Sequence, residues 1–299
     1  MIESTTMHPA RAWLLAIRPK TLPAAVSPVV LGSALAWHFN GFAPGPAFAA
    51  LFGALMLQIA SNLANDLFDH EKGADQPDRL GPTRVVSSGI LTGGEVRVGL
   101  GVVLFLALCA GAYLVGVAGP AIAVIGIVSA VSALAYTGGP YPLGYHGLGE
   151  VFVFVFFGFV AVAGTAFVEL GTVPAMAWFA GVSQGALATN ILVVNNLRDI
   201  AEDRRAEKRT LAVRFGEGFC VAQYATLLAV AYLMPVLLWA RGEVRWFALS
   251  PLLTVPLAYR TFLAVRRVRG RELNDILART AKLMLLFSIL FSLGLMAKS

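Results

Sequence analysis

Nine apolar runs divide this chain, at about 22–39, 46–65, 97–117, 120–137, 149–168, 174–196, 217–240, 246–264 and 279–297. Each is close to the ~20 residues an α-helix needs to cross a ~30 Å hydrocarbon core. Inside a bilayer every backbone N–H and C=O must find its partner within the spanning element, so apolar runs of this length have to be helices. Composition agrees: 58% of residues are hydrophobic and 13% charged, against about 25% charged in a soluble domain. The short alternating segments of a membrane β-barrel are missing. The first twenty residues carry charges and prolines without an apolar stretch, so they do not read as a cleaved signal peptide. The expectation is an all-α membrane protein of about nine transmembrane helices around a central cavity. Residues 1–299 form one domain, with two weakly related helical halves (about 20–137 and 149–264) and a last helix.

The net charge of +6 could suggest a nucleic-acid partner, but its distribution argues for topology instead. With the N-terminus in the cytoplasm, all of the 23 basic residues except Arg241, Arg245 and Lys298 fall on the inner side. This is the positive-inside asymmetry. It argues against a nucleic-acid reading and predicts a multi-pass membrane protein with both acidic segments on the cytoplasmic side. Cys109 and Cys220 lie within or beside apolar runs and imply no disulfide framework. The four histidines are scattered and have no zinc-ligand spacing.

Six of the seven aspartates fall in two short segments, Asp66 to Asp78 and Asp199 to Asp203, each directly after an apolar run. In the first, Asn62, Asp66 and Asp69 are spaced i, i+4, i+7 and share a helix face. Asn195 or Asn196 with Asp199 and Asp203 repeats that spacing. Oxygen-only ligands suit a hard cation such as Mg²⁺, which keeps several waters and completes its shell with one or two carboxylates and substrate phosphate oxygens. Two such clusters facing one cavity fit a diphosphate bridged by metal ions. Lys72, Arg79 and Arg84 follow the first cluster, and Arg198, Lys208 and Arg209 accompany the second. Cations beside the acids suit a metal-bound phosphate. A single Asp-rich loop is ordinarily a solvated turn, and Asp78 and Glu202 read that way. Two matched clusters at the edges of apolar spans point to a site on the cytoplasmic side.

At these residues the chain resembles the UbiA superfamily of intramembrane aromatic prenyltransferases. The shared pattern is Asn65-Asp66-Leu67-Phe68-Asp69 and Asp199-Ile200-Ala201-Glu202-Asp203. The stretches Lys72 to Arg84, Lys208 to Gly216 and Tyr136 to Glu150 are similar to the branch that prenylates 1,4-dihydroxy-2-naphthoate. The resemblance implies transfer of a polyprenyl group from polyprenyl diphosphate to that ring, with loss of CO₂ and diphosphate, giving demethylmenaquinol. It implies Mg²⁺ on Asp66, Asp69, Asp199, Asp203 and Asp75, with Asn62 and Asn65 in the catalytic motif. Asp75 stands six residues after Asp69, where the wider superfamily has four, which leaves its ligand role open. Lys72, Arg79, Arg84, Asn196, Arg198 and Lys208 would bind the substrate diphosphate, with Tyr136 and Tyr141 from a loop that has no lysine or arginine. The acceptor's carboxylate needs a cationic partner, for which Arg84 and Lys20 are the candidates.

The fifth run is rich in phenylalanine, at Phe152, Phe154, Phe156, Phe157 and Phe159. Most such rings face lipid or core, and some could shield an allylic cation. Gly158 and Gly164 would allow close helix contact. The loop 79–92, rich in Gly, Pro and Ser, could cap the site. Two kinds of rival remain. The same fold could prenylate homogentisate, 4-hydroxybenzoate or haem, or use a phytyl donor. A secondary transporter would instead carry its acids near the bilayer midplane, at broken helices.

Overall fold

The computed structural model of the protein describes residues 8–73 and 79–297. These form ten helices: α1 Pro9–Ile17, α2 Pro23–His38, α3 Pro44–Glu71, α4 Gly93–Ala118, α5 Ala121–Ala135, α6 Gly149–Leu170, α7 Ala175–Arg205, α8 Leu211–Ala240, α9 Trp246–Arg267 and α10 Leu273–Met296. Local chemistry sets many of the boundaries. Proline opens α1, α2 and α3, where a missing N–H costs nothing. Thr92 and Glu95 close a capping box on α4, each side chain satisfying the other's backbone N–H. Gly216, at φ 79, breaks the first turn of α8 from the rest, so the apolar run that starts at residue 217 starts after a real discontinuity.

Each of the nine apolar runs is helical, but not all are full spans. Seven helices are long and apolar enough to cross a membrane, or up to eight when Pro9–Thr21 and Pro23–His38, bent by 52°, count as one. The run expected at 120–137 gives only the 15 residues of α5. At 1.5 Å per residue that is about 22 Å, short of the bilayer core. Gly119 and Pro120 start it and the Tyr136 to Pro140 turn ends it. The sequence reading also missed α1, which lies before the first run. Its Ala12 and Ala16 are buried, and its Trp13 ring covers Gly99 of α4, where a Cβ would stand 2.5 Å from the ring.

The exposed faces of α4 and α5 are apolar, with Val98, Val102, Phe105, Leu108, Val124, Ile127 and Val131 outward. Such a surface belongs in lipid. With lipid as apolar as leucine, helices there associate by close packing and internal polar bonds. The most enclosed helix, α7, shows both. Asn190 donates to the Tyr224 carbonyl at 3.2 Å, and Gln184 to Ser288 Oγ at 2.6 Å, tying α7 to α8 and α10.

Its contact with α6 depends on glycine. Within α6, residues Phe154–Val160 widen into a π-helical turn. A Cβ on Gly158 would lie 2.5 Å from the Gly181 carbonyl oxygen, and one on Gly185 would lie 2.5 Å from that of Phe154. Gly158 therefore plays the close-packing role expected of it. Gly164 does not: a Cβ there meets nothing within 4 Å, and the residue borders a cavity. Gly185→Ala is expected to destabilise the protein by about 1–3 kcal/mol through overpacking, and Gly164→Ala to be neutral. Thermal unfolding of the two variants in detergent checks the contrast.

Candidate active site

The ends of α3 and α7 open into one cavity of about 1250 Å³, which also borders α2, α4, α5 and α6. Along α3 it extends from Asp69 back to Ala50, about 28 Å at the helical rise. Its mouth is polar and its depth is apolar. Phe152, Phe156 and Phe157 of α6 line it, whereas Phe154 and Phe159 turn to α7 and Trp178. The five phenylalanines thus divide between cavity and helix contact.

A carboxylate removed from water has to be paired or hydrogen-bonded. Asp69 is the most heavily paired. Its Oδ2 accepts from Arg84 at 2.6 Å, and its Oδ1 accepts from the Tyr145 hydroxyl at 2.8 Å and from Lys208 Nζ at 3.0 Å. Asp199 is gripped at both oxygens by its neighbour Arg198, through Nε and Nη2 at 2.6 Å each. Arg198 is itself fixed by Asn274 of α10 and Asn195. Asp203 is different. It borders the cavity, is almost fully buried, and has no side-chain hydrogen bond or ion pair among the described residues. Lys208 and Arg79 attract it from nearby while Asp199 and Asp69 repel it. This edge of the cavity holds a carboxyl group whose oxygens no side chain among the described residues occupies.

Asp66 does not share in this arrangement. It is fully buried, does not border the cavity, and accepts the backbone N–H groups of Val85 and Val86 at 3.1 and 3.0 Å. The residue expected to hold metal instead anchors the 79–92 loop, whose Val85, Val86 and Leu91 enter the core beside α3 and α4. Asn62 borders the cavity, but its amide donates away from the carboxylates, to the Ile17 carbonyl and to Thr21 Oγ1. Asn65 stays at the cavity and accepts from the Thr137 hydroxyl. Asp75 lies outside the described residues.

The cationic side also needs revision. Tyr141 is exposed, stacks on His146 and is not a cavity residue. Tyr145 takes the place expected of it, bonded to Asp69 with the Lys72 and Lys208 ammonium groups 4.8 and 4.6 Å from its ring centroid. Lys72 is exposed, stands off the cavity and donates to the Thr137 carbonyl at 2.5 Å. Tyr136 does border the cavity. Burial, with Glu150, Asp203 and Asp69 nearby, pushes its pKa above the tyrosine range, so it is a hydroxyl donor at neutral pH. Arg79, Arg84, Asn196, Arg198 and Lys208 all reach the cavity, and Asn196 is held by Glu150 at 2.9 Å. Glu202, read as a solvated turn, accepts the Leu80 N–H and ties the loop to α7. Asn274 accepts from Arg198 and donates to the Leu80 carbonyl. Nothing in its local sequence announced that role.

Among the described residues no three carboxylate, histidine or cysteine side chains come together as a ready metal cage. The oxygen donors Asn65, Asp69, Asn195, Asp199 and Asp203 nevertheless share one cavity. With Asp203 lacking a partner, that set fits a Mg²⁺ ion that takes only one or two carboxylates and shares the rest of its shell with water and phosphate.

A model of the UbiA prenyltransferase family matches residues 25–289. The chain belongs to that family. It is similar to the 1,4-dihydroxy-2-naphthoate octaprenyltransferase of Escherichia coli, at 38% identity over 95% of both chains. It is also similar to the enzyme of the same name from Mycobacterium tuberculosis, at 40% identity over 93% of this chain and 94% of that one. A UbiA homolog from Archaeoglobus fulgidus, solved bound to DMAPP and Mg²⁺, shares its fold with a TM-score of 0.69. That likeness covers 95% of this chain and 98% of the other, at 17% identity. This UbiA-family member is a multi-pass membrane prenyltransferase.

The two loop tyrosines separate under mutation. Tyr145→Phe keeps the ring but removes a hydrogen bond to a charged group, worth about 1.5–3 kcal/mol. Its prenyl-transfer rate is expected to fall at least about tenfold, while Tyr141→Phe stays within about twofold of wild type. Steady-state kinetics on the purified variants measure both.

Proposed function

We propose that this protein transfers a polyprenyl group from polyprenyl diphosphate to 1,4-dihydroxy-2-naphthoate. The observation that carries the reading is its near full-length similarity to naphthoate octaprenyltransferases of several bacteria. The cavity supports it with a charged mouth for a diphosphate and a long apolar interior for a prenyl tail. In the reaction the bond between prenyl C1 and the diphosphate oxygen breaks. C1 then bonds to the ring carbon bearing the carboxylate. CO₂ leaves, its bonding pair restores the aromatic ring, and the product is demethylmenaquinol.

Asp69, Asp199 and Asp203, with Asn65 and Asn195 beside them, would hold Mg²⁺. When bound, the ion supplies Lewis-acid stabilisation of the charge that develops on the departing diphosphate. Lys208 brings positive charge to the released diphosphate and Tyr136 donates to its oxygens, while Arg84 and the Tyr145 hydroxyl hold Asp69 in place. Arg198 orients Asp199 and so acts one step back from the substrate. Phe152, Phe156 and Phe157 offer ring faces to the prenyl chain and keep water from an allylic cation. The basic loops flank this mouth, which the positive-inside rule puts at the cytoplasmic face of the bacterial inner membrane.

Purified protein in detergent with Mg²⁺, dihydroxynaphthoate and prenyl diphosphates of graded length should yield the decarboxylated prenylated quinol. Product only with homogentisate or 4-hydroxybenzoate would move the acceptor elsewhere in the family. EDTA should abolish turnover and Mg²⁺ restore it. Asp69→Asn and Asp203→Asn should each lower kcat by about 10²–10³-fold, the range for losing a major electrostatic stabiliser. Asp66→Ala should instead lower the Tm, because it leaves two buried N–H groups unpaired. The Mg²⁺ dependence of its remaining activity should match that of wild type.

A further inference from the structure

Among the cavity's arginines, Arg18 presents one guanidinium edge whose two donors make no hydrogen bond within the described residues. Arg18, between α1 and α2, has φ 54 and ψ 70. Only Arg18, Asn40 and Glu207 adopt a positive φ without being glycine among the described residues. For a long side chain this conformation is unfavourable and persists only where the surroundings impose it. They do so here. Thr21 donates to the Arg18 carbonyl through both its N–H and its hydroxyl, at 3.0 and 2.9 Å. Asn62 of α3 clamps either side of Arg18 by donating to the Ile17 carbonyl at 2.8 Å and to Thr21 Oγ1 at 3.1 Å.

The clamped backbone delivers a guanidinium to the cavity wall. The side chain is 16% exposed, and its Nε and Nη2 have no hydrogen-bond partner among the described residues. Asp66 Oδ2 is 3.5 Å from Nη2, but that oxygen already accepts from Val85. Arg84 and Lys208 are bonded to Asp69, and Arg198 to Asp199. The strongest electrostatic neighbours of Arg18 are Arg84, Asp66, Arg79 and Asp69, all on α3 or the loop after it. Asp199, Asp203 and Lys208, the α7 part of the diphosphate site in the reading above, are not among them. A largely buried planar fork of N–H donors beside α3 matches an anion with two coplanar oxygens.

We propose that Arg18 grips the carboxylate of the aromatic acceptor and sets the enzyme's preference for carboxylated rings. The assignment rests on the naphthoate reading. It replaces Arg84, which is bonded to Asp69, and Lys20, whose side chain is exposed. It also makes Asn62 a positioning residue for the Arg18 turn.

Arg18→Gly tests this with little risk to folding, since glycine suits the left-handed conformation. Arg18→Lys keeps a charge but loses the fork. Both are assayed as full-length protein in detergent with Mg²⁺ and polyprenyl diphosphate. Two competitive inhibitors, 1-hydroxy-2-naphthoate and 1-naphthol, differ only in the carboxylate. Arg18→Gly should raise the KM for dihydroxynaphthoate and the Ki for 1-hydroxy-2-naphthoate by about 10–100-fold, the effect of losing charge-assisted hydrogen bonds. The Ki for 1-naphthol and the KM for polyprenyl diphosphate should stay within about twofold, and Arg18→Lys should recover part of the loss. Equal weakening of both inhibitors, or a raised KM for polyprenyl diphosphate instead, overturns the assignment. So does an unchanged Ki for 1-hydroxy-2-naphthoate. If Arg18→Gly does not fold, the same contrast is read from Arg18→Lys. A wild-type protein that prenylates no naphthoate sinks the substrate reading before any variant is compared, whereas an active wild type with no Arg18 effect sinks only the Arg18 assignment.

Discussion

Charge balance in a place poor in water governs this structure. Two membrane-grade helices, α3 and α7, end in carboxylates that are costly to leave unpaired at a cavity with an apolar interior. The connecting loops supply the partners. The 79–92 loop gives Arg84 to Asp69 and two backbone N–H groups to Asp66, the loop after α5 gives the Tyr145 hydroxyl, and the turn after α7 gives Lys208. Asn274 at the start of α10 steadies both Arg198 and Leu80. Segments distant in sequence are thus drawn to one point by the need to neutralise acids, and Asp203 is left without a partner. A site almost balanced, with one carboxylate in reserve, suits a ligand that arrives with its own cation.

The remainder of the fold gives that charged end its apolar continuation. The π-helical turn in α6 and the glycines at its contact with α7 bring two backbones within reach of each other on one side. On its other side α6 presents Phe152, Phe156 and Phe157 to the cavity, with Gly164 leaving open space beyond them. The outward faces of α4 and α5 are apolar enough to meet lipid directly. A substrate with a polar head and a long hydrocarbon tail finds matching surroundings at both ends.

The apolar runs made the helices legible, because a bilayer permits little else over twenty residues, and proline and glycine marked many of their ends. The aspartate segments were legible as helix ends. What the spacing could not resolve was which residues on a shared face meet the cavity. Asn62, Asp66 and Asp69 do lie along one side of α3, but Asn62, though at the cavity wall, bonds to the α1–α2 turn, and Asp66 meets the backbone of the 84–86 turn. Both contacts are non-local, and neither leaves a mark on the helical period. Tyr141 is the loop tyrosine the sequence suggests beside Tyr136, and the short helical turn at Leu143–His146 carries Tyr145 to Asp69 instead. Arg18 looked like one more inner-side charge. Its backbone conformation and its unused donors exist only in three dimensions.

The central claim is that the carboxylates of α3 and α7 form a cation site completed by a diphosphate. Manganese can stand in for magnesium and be followed by electron paramagnetic resonance on the purified protein in detergent, with and without an unreactive prenyl thiodiphosphate. With the analogue present, bound manganese should appear and be lost in Asp203→Asn. Without it, binding should be weak. Equally tight binding in the absence of the analogue, or a signal indifferent to Asp203, would contradict the account.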